Sequence, residues 1–412
     1  MNRFIIFCLC LLAGINSWGQ KNTLDYFLEQ AVTNSPLLKD YQGQLLSFSL
    51  DSQIIRAALR PQVNGISINS YAPVIHGYGY DEAITNGAQL SALIQVSKDL
   101  QSNKTIASKI RDLQIQGKSI TNTSKISQQD LRKAIADQYI ITYGEQLQLD
   151  FNTHITDLLV GEDSLLRKLT RDNVYKQTDY LSFTVTLQQQ LLTNAQLNIQ
   201  YVTDYLQLNY LAGIMDTLTP ALQEPFLSIS SMTSDFTNTI FYQQYVLDSL
   251  KLVNDRSLID LTYRPKFNLF ADAGYNSSLA YLPYKNFGTS VGVNLTIPIY
   301  DGRQKKLQYS KIDIQERTRL TKRDFFLQQH QQQIMQLMKQ LKATEQLISQ
   351  VNKQIRYTEA LITASEKLLA TGDIRLTDFI LTLNNYFTAK NLLAENYVSR
   401  LKILNQLNYW DR

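Results

Sequence analysis

The sequence predicts a mainly α chain with a membrane β-barrel portion: long antiparallel helical hairpins, plus four strands that are too few to close a barrel alone. Three observations predict it. Only 8 prolines and 16 glycines interrupt 412 residues, too few breakers for a chain of short elements. Leu320, Leu327, Ile334, Leu341, Ile348, Ile355, Ile362 and Leu369 recur every seven residues, the spacing of sustained coiled-coil packing. Four segments of about ten residues alternate apolar and polar side chains, the period and length of strands tilted across a bilayer.

Composition removes several alternatives. At 44% hydrophobic and 18% charged, the chain has the apolar content of a folded protein rather than a disordered one. Its 40 basic and 36 acidic residues leave a net charge of +4, without the concentrated basic face that nucleic-acid binding needs. Both cysteines, Cys8 and Cys10, fall in the first ten residues, so neither a disulfide framework nor a cysteine metal site is expected.

Taken in order, Arg3 precedes an apolar run from Phe4 to Ile15, followed by the small residues Ser17 and Gly19. This reads as a secretory signal peptide over 1–19, too short for a permanent span. No cysteine stands at the expected cut, so no lipid anchor is expected there. A first helix follows over about Pro36 to Leu59 and stops at Arg60-Pro61, because proline cannot continue it. In the first strand Ile66 and Ile68 alternate with Ser67 and Asn69. In the second, Ala88, Leu90, Ala92, Ile94 and Val96 alternate with Gln89, Ser91 and Gln95. A long helix over about Gln101 to Leu169 carries a patchier heptad of Ile106, Leu113 and Ile120. A half-length helix over about Thr178 to Ala212 returns. The stretch 213–235 contains Pro220 and Pro225, shows little periodicity, and reads as an equatorial linker.

The order then repeats. A helix over about Phe236 to Tyr263 stops at Arg264-Pro265. A third strand alternates Phe267, Leu269, Ala271 and Ala273 with Asn268, Asp272 and Gly274. A fourth alternates Phe287, Thr289, Val291, Val293, Leu295 and Ile297 with Gly288, Ser290, Gly292, Asn294 and Thr296. The helix from about Gln304 to Ala370 would be roughly 100 Å long, and its Gln328–Gln333 run reads as a solvated face. A last helix covers about Thr377 to Leu407. Local matches keep their order at an offset of about 200 residues: Arg60-Pro61 with Arg264-Pro265, Ser108-Lys109-Ile110 with Ser310-Lys311-Ile312, Thr178-Asp179 with Thr377-Asp378. They indicate an internal duplication, with a first structural repeat over 20–212 and a second over 236–412.

The polar strand face suits a wet lumen. Tyr71, Tyr263, Tyr275, Tyr281, Tyr284, Phe287 and Tyr300 stand near the strand ends like an interfacial girdle. Open sheet edges are not tolerated in lipid, so spanning strands require several subunits to share one wall, and three copies would give twelve strands.

These features resemble the TolC-like outer membrane efflux protein family. The residues that carry the resemblance are the two Arg-Pro pairs opening a strand, the segment Ile297-Pro298-Ile299-Tyr300-Asp301-Gly302 before the second long helix, and the two hairpin turns. The resemblance implies a homotrimer whose shared 12-stranded outer-membrane barrel continues into a periplasmic trimeric α-barrel in a Gram-negative cell. It implies a passive efflux or secretion duct, in contact with outer membrane lipid, a periplasmic adaptor protein and an inner-membrane transporter. No cofactor, metal or nucleic acid enters that picture. Within it, Asp172-Asn173-Val174 and Thr371-Gly372-Asp373 correspond to adaptor-contacting tips. Gly372 is the expected left-handed helix stop, Asn173 the next-best residue for that backbone, and Thr377 a candidate cap. Asp378 corresponds to an acidic ring at the periplasmic entrance; Leu381 stands where a second acid can occur. Asp179 corresponds to an acid that ties the closed tip, but Ile374 occupies the expected arginine position, with Arg375 beside it.

Two competitors remain. Against an enzyme, the sequence lacks a phosphate loop, a zinc-type histidine pair and a nucleophile elbow. His76, His154 and His330 are isolated and expected at the surface. Against a periplasmic adaptor or another periplasmic coiled-coil protein stand the paired Arg-Pro strands and the duplication.

Overall fold

The computed structural model describes residues 22–79, 88–229, 236–279 and 282–410. The expected signal peptide, Tyr281 and the last part of the linker lie outside the described residues.

Eleven principal elements follow in order among the described residues. Helices α1 (Leu24–Asn34) and α2 (Pro36–Ala57) lead into strands β1 (Gln62–Tyr71) and β2 (Ala88–Leu100). Helix α3 (Asn103–Arg171) follows, and α4 (Gln177–Ala212) returns. The second pass runs α5 (Ile240–Thr262), β3 (Lys266–Ser277), β4 (Phe287–Thr296), α6 (Gln304–Thr371) and α7 (Leu376–Trp410). Helix α1 corrects the sequence reading, which placed no helix before Pro36. Its signals are local: the Thr23 side chain accepts from the Tyr26 amide at 3.3 Å, and Phe27 and Ala31, one turn apart, are both buried.

The chain forms two compact units. The first comprises Met1–Lys39, Ser124–Ile240 and Phe325–Arg412, over its described residues; the second comprises Asp40–Thr123 and Phe241–Asp324. In the first, four helices contribute to one core: Ile155, Leu159 and Leu166 from α3, Phe183 and Leu187 from α4, Ile362 and Leu369 from α6, and Phe379 and Leu383 from α7. The α6 heptad supplies Leu341, Ile355, Ile362 and Leu369 as buried residues. A second core gathers Phe27 and Ala31 of α1 with Tyr139, Tyr201, Tyr205 and Leu208. Here the Tyr139 hydroxyl donates to the carbonyls of Gln223 at 2.6 Å and Asn22 at 2.8 Å, pinning the linker. Burial raises the Tyr139 phenol well above its usual range and pushes Tyr201 up to about 12.

The α3 heptad differs from expectation. Ile106, Leu113 and Ile120 are only half-buried. The buried row lies two residues on, at Ser108, Ile115, Asn122, Gln129 and Ala136. It is mostly polar because hydrogen bonds rather than apolar contacts fill it. In the second unit Ser108 Oγ donates to Asn254 Oδ1 at 3.1 Å, and Asn122 Nδ2 donates to Gln244 Oε1 at 3.2 Å. In the first, Gln129 Nε2 donates to the Tyr409 carbonyl at 3.4 Å. An apolar-period search is blind to such a seam.

In the second unit the four strands form one antiparallel sheet in the order β1-β2-β3-β4. Helices α2 and α5 end just before Arg60-Pro61 and Arg264-Pro265, where proline forces the backbone to extend. No described helix is long and apolar enough to cross a membrane.

Candidate functional site

Register sorts the strand side chains onto two faces, since directly paired residues point the same way. One face carries Leu90, Ala92, Ile94 and Val96 of β2, opposite Tyr275, Ala273 and Ala271 of β3. Those continue to Phe287, Thr289, Val291 and Val293 of β4. This apolar face is bare: Val291 is 84% exposed and Ile94 62%. The opposite face carries Ser91, Gln95, Ser97 and Asp99, with Asn268, Asp272, Ser290 and Asn294 beside them.

β1 corrects the sequence reading. Ile66 pairs with Leu93 and Ile68 with Ser91, so these isoleucines sit on the polar face. Val63, Ser67, Asn69 and Tyr71 sit on the apolar one. Tyr71 and Phe287 stand at one end of that face, both largely exposed. Tyr275 meets Phe287 edge-on with centroids 5.3 Å apart.

In the first unit the two hairpin turns have matching geometry. The Val174 amide donates to the Leu169 carbonyl at 2.9 Å, and the Asp373 amide to the Leu368 carbonyl at 2.9 Å. Asn173 and Gly372 occupy the same left-handed backbone, with φ of 60° and 78°, the αL stop that leaves helix-terminal carbonyls bonded. Asp172 and Thr371 are exposed. Their bonds are local: the Asp172 amide donates to the Lys168 carbonyl, and Thr371 Oγ1 to the Leu368 carbonyl at 3.1 Å.

The structure brings the two turns together. A Cβ added to Gly372 would lie 2.5 Å from Val174 Cγ1, so Val174 covers the glycine of the other turn. Tyr175 completes the lock. It is buried, and its hydroxyl donates to the Leu369 carbonyl at 3.2 Å and the Ile374 carbonyl at 3.1 Å. Sequence reasoning missed Tyr175; the available signal was a bulky aromatic directly after a turn that needed only polar residues.

Asp179 and Asp378 both stand in the first turn of a returning helix, α4 and α7. Asp179 is half-buried and Asp378 exposed. Neither takes part in an ion pair among the described residues. Ile374 packs on the tip core, so the position expected to hold an arginine is apolar in use as well as in identity. Thr377 does not precede the helix: α7 starts at Leu376, which places Thr377 inside its first turn. Further along the hairpins, burial and then the neighbouring Glu366 raise the Glu162 carboxyl above its usual range.

His76 and His154 are exposed, as expected. His330 is not. It is half-buried, stacks on Phe236 with centroids 3.8 Å apart, and meets Trp410 edge-on at 5.5 Å. Burial lowers its pKa. An aromatic neighbour from another element hides a histidine that looks exposed on its own helix.

This fold of long helical hairpins and a four-stranded sheet is shared with solved outer membrane proteins. Among solved structures, the chain is similar to CusC, studied for transmembrane channel formation, with a TM-score of 0.76 at 11% identity, covering 94% of this chain and 92% of that one. It is similar to VceC, an outer membrane protein of Vibrio cholerae, with a TM-score of 0.75 at 11% identity over 94% and 96% of the two chains. The Campylobacter jejuni outer membrane channel CmeC gives 0.73 at 12% identity, over 97% and 90%. No family model and no curated protein matches the sequence.

Proposed function

We propose that this chain is a TolC-like outer membrane efflux or secretion duct, working as a homotrimer of a Gram-negative cell. One observation carries the reading: a four-stranded sheet whose apolar face is exposed and whose two edge strands, β1 and β4, each pair on one side only. Lipid satisfies the face, but only another copy of the sheet satisfies the edges. Two copies would make eight strands, whose interior side chains fill; twelve leave room for water. A bare stripe on α4 supports self-association. Val185, Leu192, Ile199 and Leu206 recur every seven residues and are all exposed, from 40% to 69%, as a seam awaiting a partner helix does.

The duct is passive in this reading, drawing energy from an inner-membrane transporter through a periplasmic adaptor. The adaptor would meet the paired tips at Asn173-Val174 and Gly372-Asp373. A cell expressing the chain should hold it in the outer membrane fraction, as an oligomer on unboiled gels that collapses to the monomer on heating. Recovery with the inner membrane would favour the adaptor reading, and a soluble monomer would end the duct reading.

Asp378, exposed at the start of α7, is the proposed entrance acid. Three such carboxylates around a narrow pore attract multivalent cations. Asp378→Ala should weaken block by a trivalent cation in single-channel recordings by about tenfold, a loss of roughly 1.4 kcal/mol in binding. Unchanged block would remove Asp378 from the entrance.

A further inference from the structure

Within the second unit, the polar face of the sheet ends in a cleft of about 580 Å³, within the size range of small-molecule sites. Three cationic side chains line it: Lys109 of α3, Arg264 of the second Arg-Pro pair and Lys266 at the start of β3. Lys109 donates to Gln101 Oε1 at 3.1 Å. None of the three is ion-paired among the described residues. The lone carboxylate in the lining, Asp99, accepts from Asn268 Nδ2 at 2.6 Å. Leu258 and Leu261 of α5 supply an apolar wall.

We propose that this cleft is a binding station for amphiphilic anions passing along the duct. Three cations against one carboxylate select a negative head, and the guanidinium of Arg264 offers the planar fork that suits carboxylate or sulfonate oxygens. The apolar wall takes the body of the ligand. The station rests on the duct reading, because only then does the face carrying Asn268, Asn294 and Thr296 border the lumen. It also gives the Arg-Pro pair of the second repeat a chemical role in addition to stopping a helix.

The test uses the full-length oligomer in planar bilayers, with naphthalene-2-sulfonate as probe and naphthalene-2-sulfonamide as its uncharged counterpart. The sulfonate should block the open current reversibly, about tenfold more tightly than the sulfonamide, and rising salt should weaken that block. Replacing all three cations (Lys109→Gln, Arg264→Gln, Lys266→Gln) should remove the preference while open conductance persists. Should the triple variant fail to assemble, Lys109→Gln alone should still weaken sulfonate block. Equal block by the two probes in the unaltered channel, or block untouched by Lys109→Gln, would overturn the station and leave the duct standing. Absence of any conductance from the unaltered chain would sink both.

Discussion

Val291→Arg should leave the chain unable to form a heat-sensitive oligomer in the outer membrane. Val291 lies in the middle of β4, 84% exposed, on the face shared with Ala271 and Val96. In the proposed barrel that face meets hydrocarbon, where an arginine near the midplane costs about 2–4 kcal/mol per strand. A trimer carries the change three times. Ser290→Arg is the matched control, since Ser290 pairs with Asp272 on the polar face; there the guanidinium meets water and a carboxylate. The expected result is loss of oligomer for Val291→Arg and near-normal oligomer for Ser290→Arg, read on unboiled gels of outer membrane fractions. Equal assembly of both variants would show that the apolar face does not meet lipid.

Gly372→Val should abolish export while leaving assembly intact. Two costs add at this position. The backbone has φ of 78°, where a β-branched residue is strained by about 1–3 kcal/mol. The new Cβ would also press on Val174 Cγ1, so Val174 must move off the other turn, next to the Tyr175 bonds to Leu369 and Ile374. Asn173→Gly should be nearly silent, because glycine adopts that backbone without strain. In the proposed trimer the sheet edges and the α4 stripe, not the turns, hold the copies together, so assembly should survive. Substrate efflux and limited proteolysis across 371–376 are the measurements. An exporting, protease-resistant Gly372→Val protein would show that the tips tolerate separation; a protein that no longer assembles would make the turns structural rather than adaptor-facing.

Residue patterns alone carried the long elements. Heptads and breakers place α6 and α7 to within a few residues, because repeat spacing and helix stops are properties of neighbouring positions. The same holds for the paired turns: a glycine and an asparagine at matching places specify one left-handed backbone, and both adopt it. The sequence also showed that four amphipathic strands exist.

Other features were decided between distant residues. Alternation says that β1 has two faces, not which one meets Leu93; only pairing with β2 puts Ile66 and Ile68 on the polar side. The buried seam of α3 runs through Ser108, Asn122 and Gln129 because Asn254, Gln244 and Tyr409 accept or donate across it, and hydrogen-bond complementarity has no period to detect. The Tyr175 lock joins carbonyls 194 and 199 positions away. Periodicity reports how each segment divides into faces; what each face touches is set by register and by long-range hydrogen bonds, which exist only once the chain has folded back on itself.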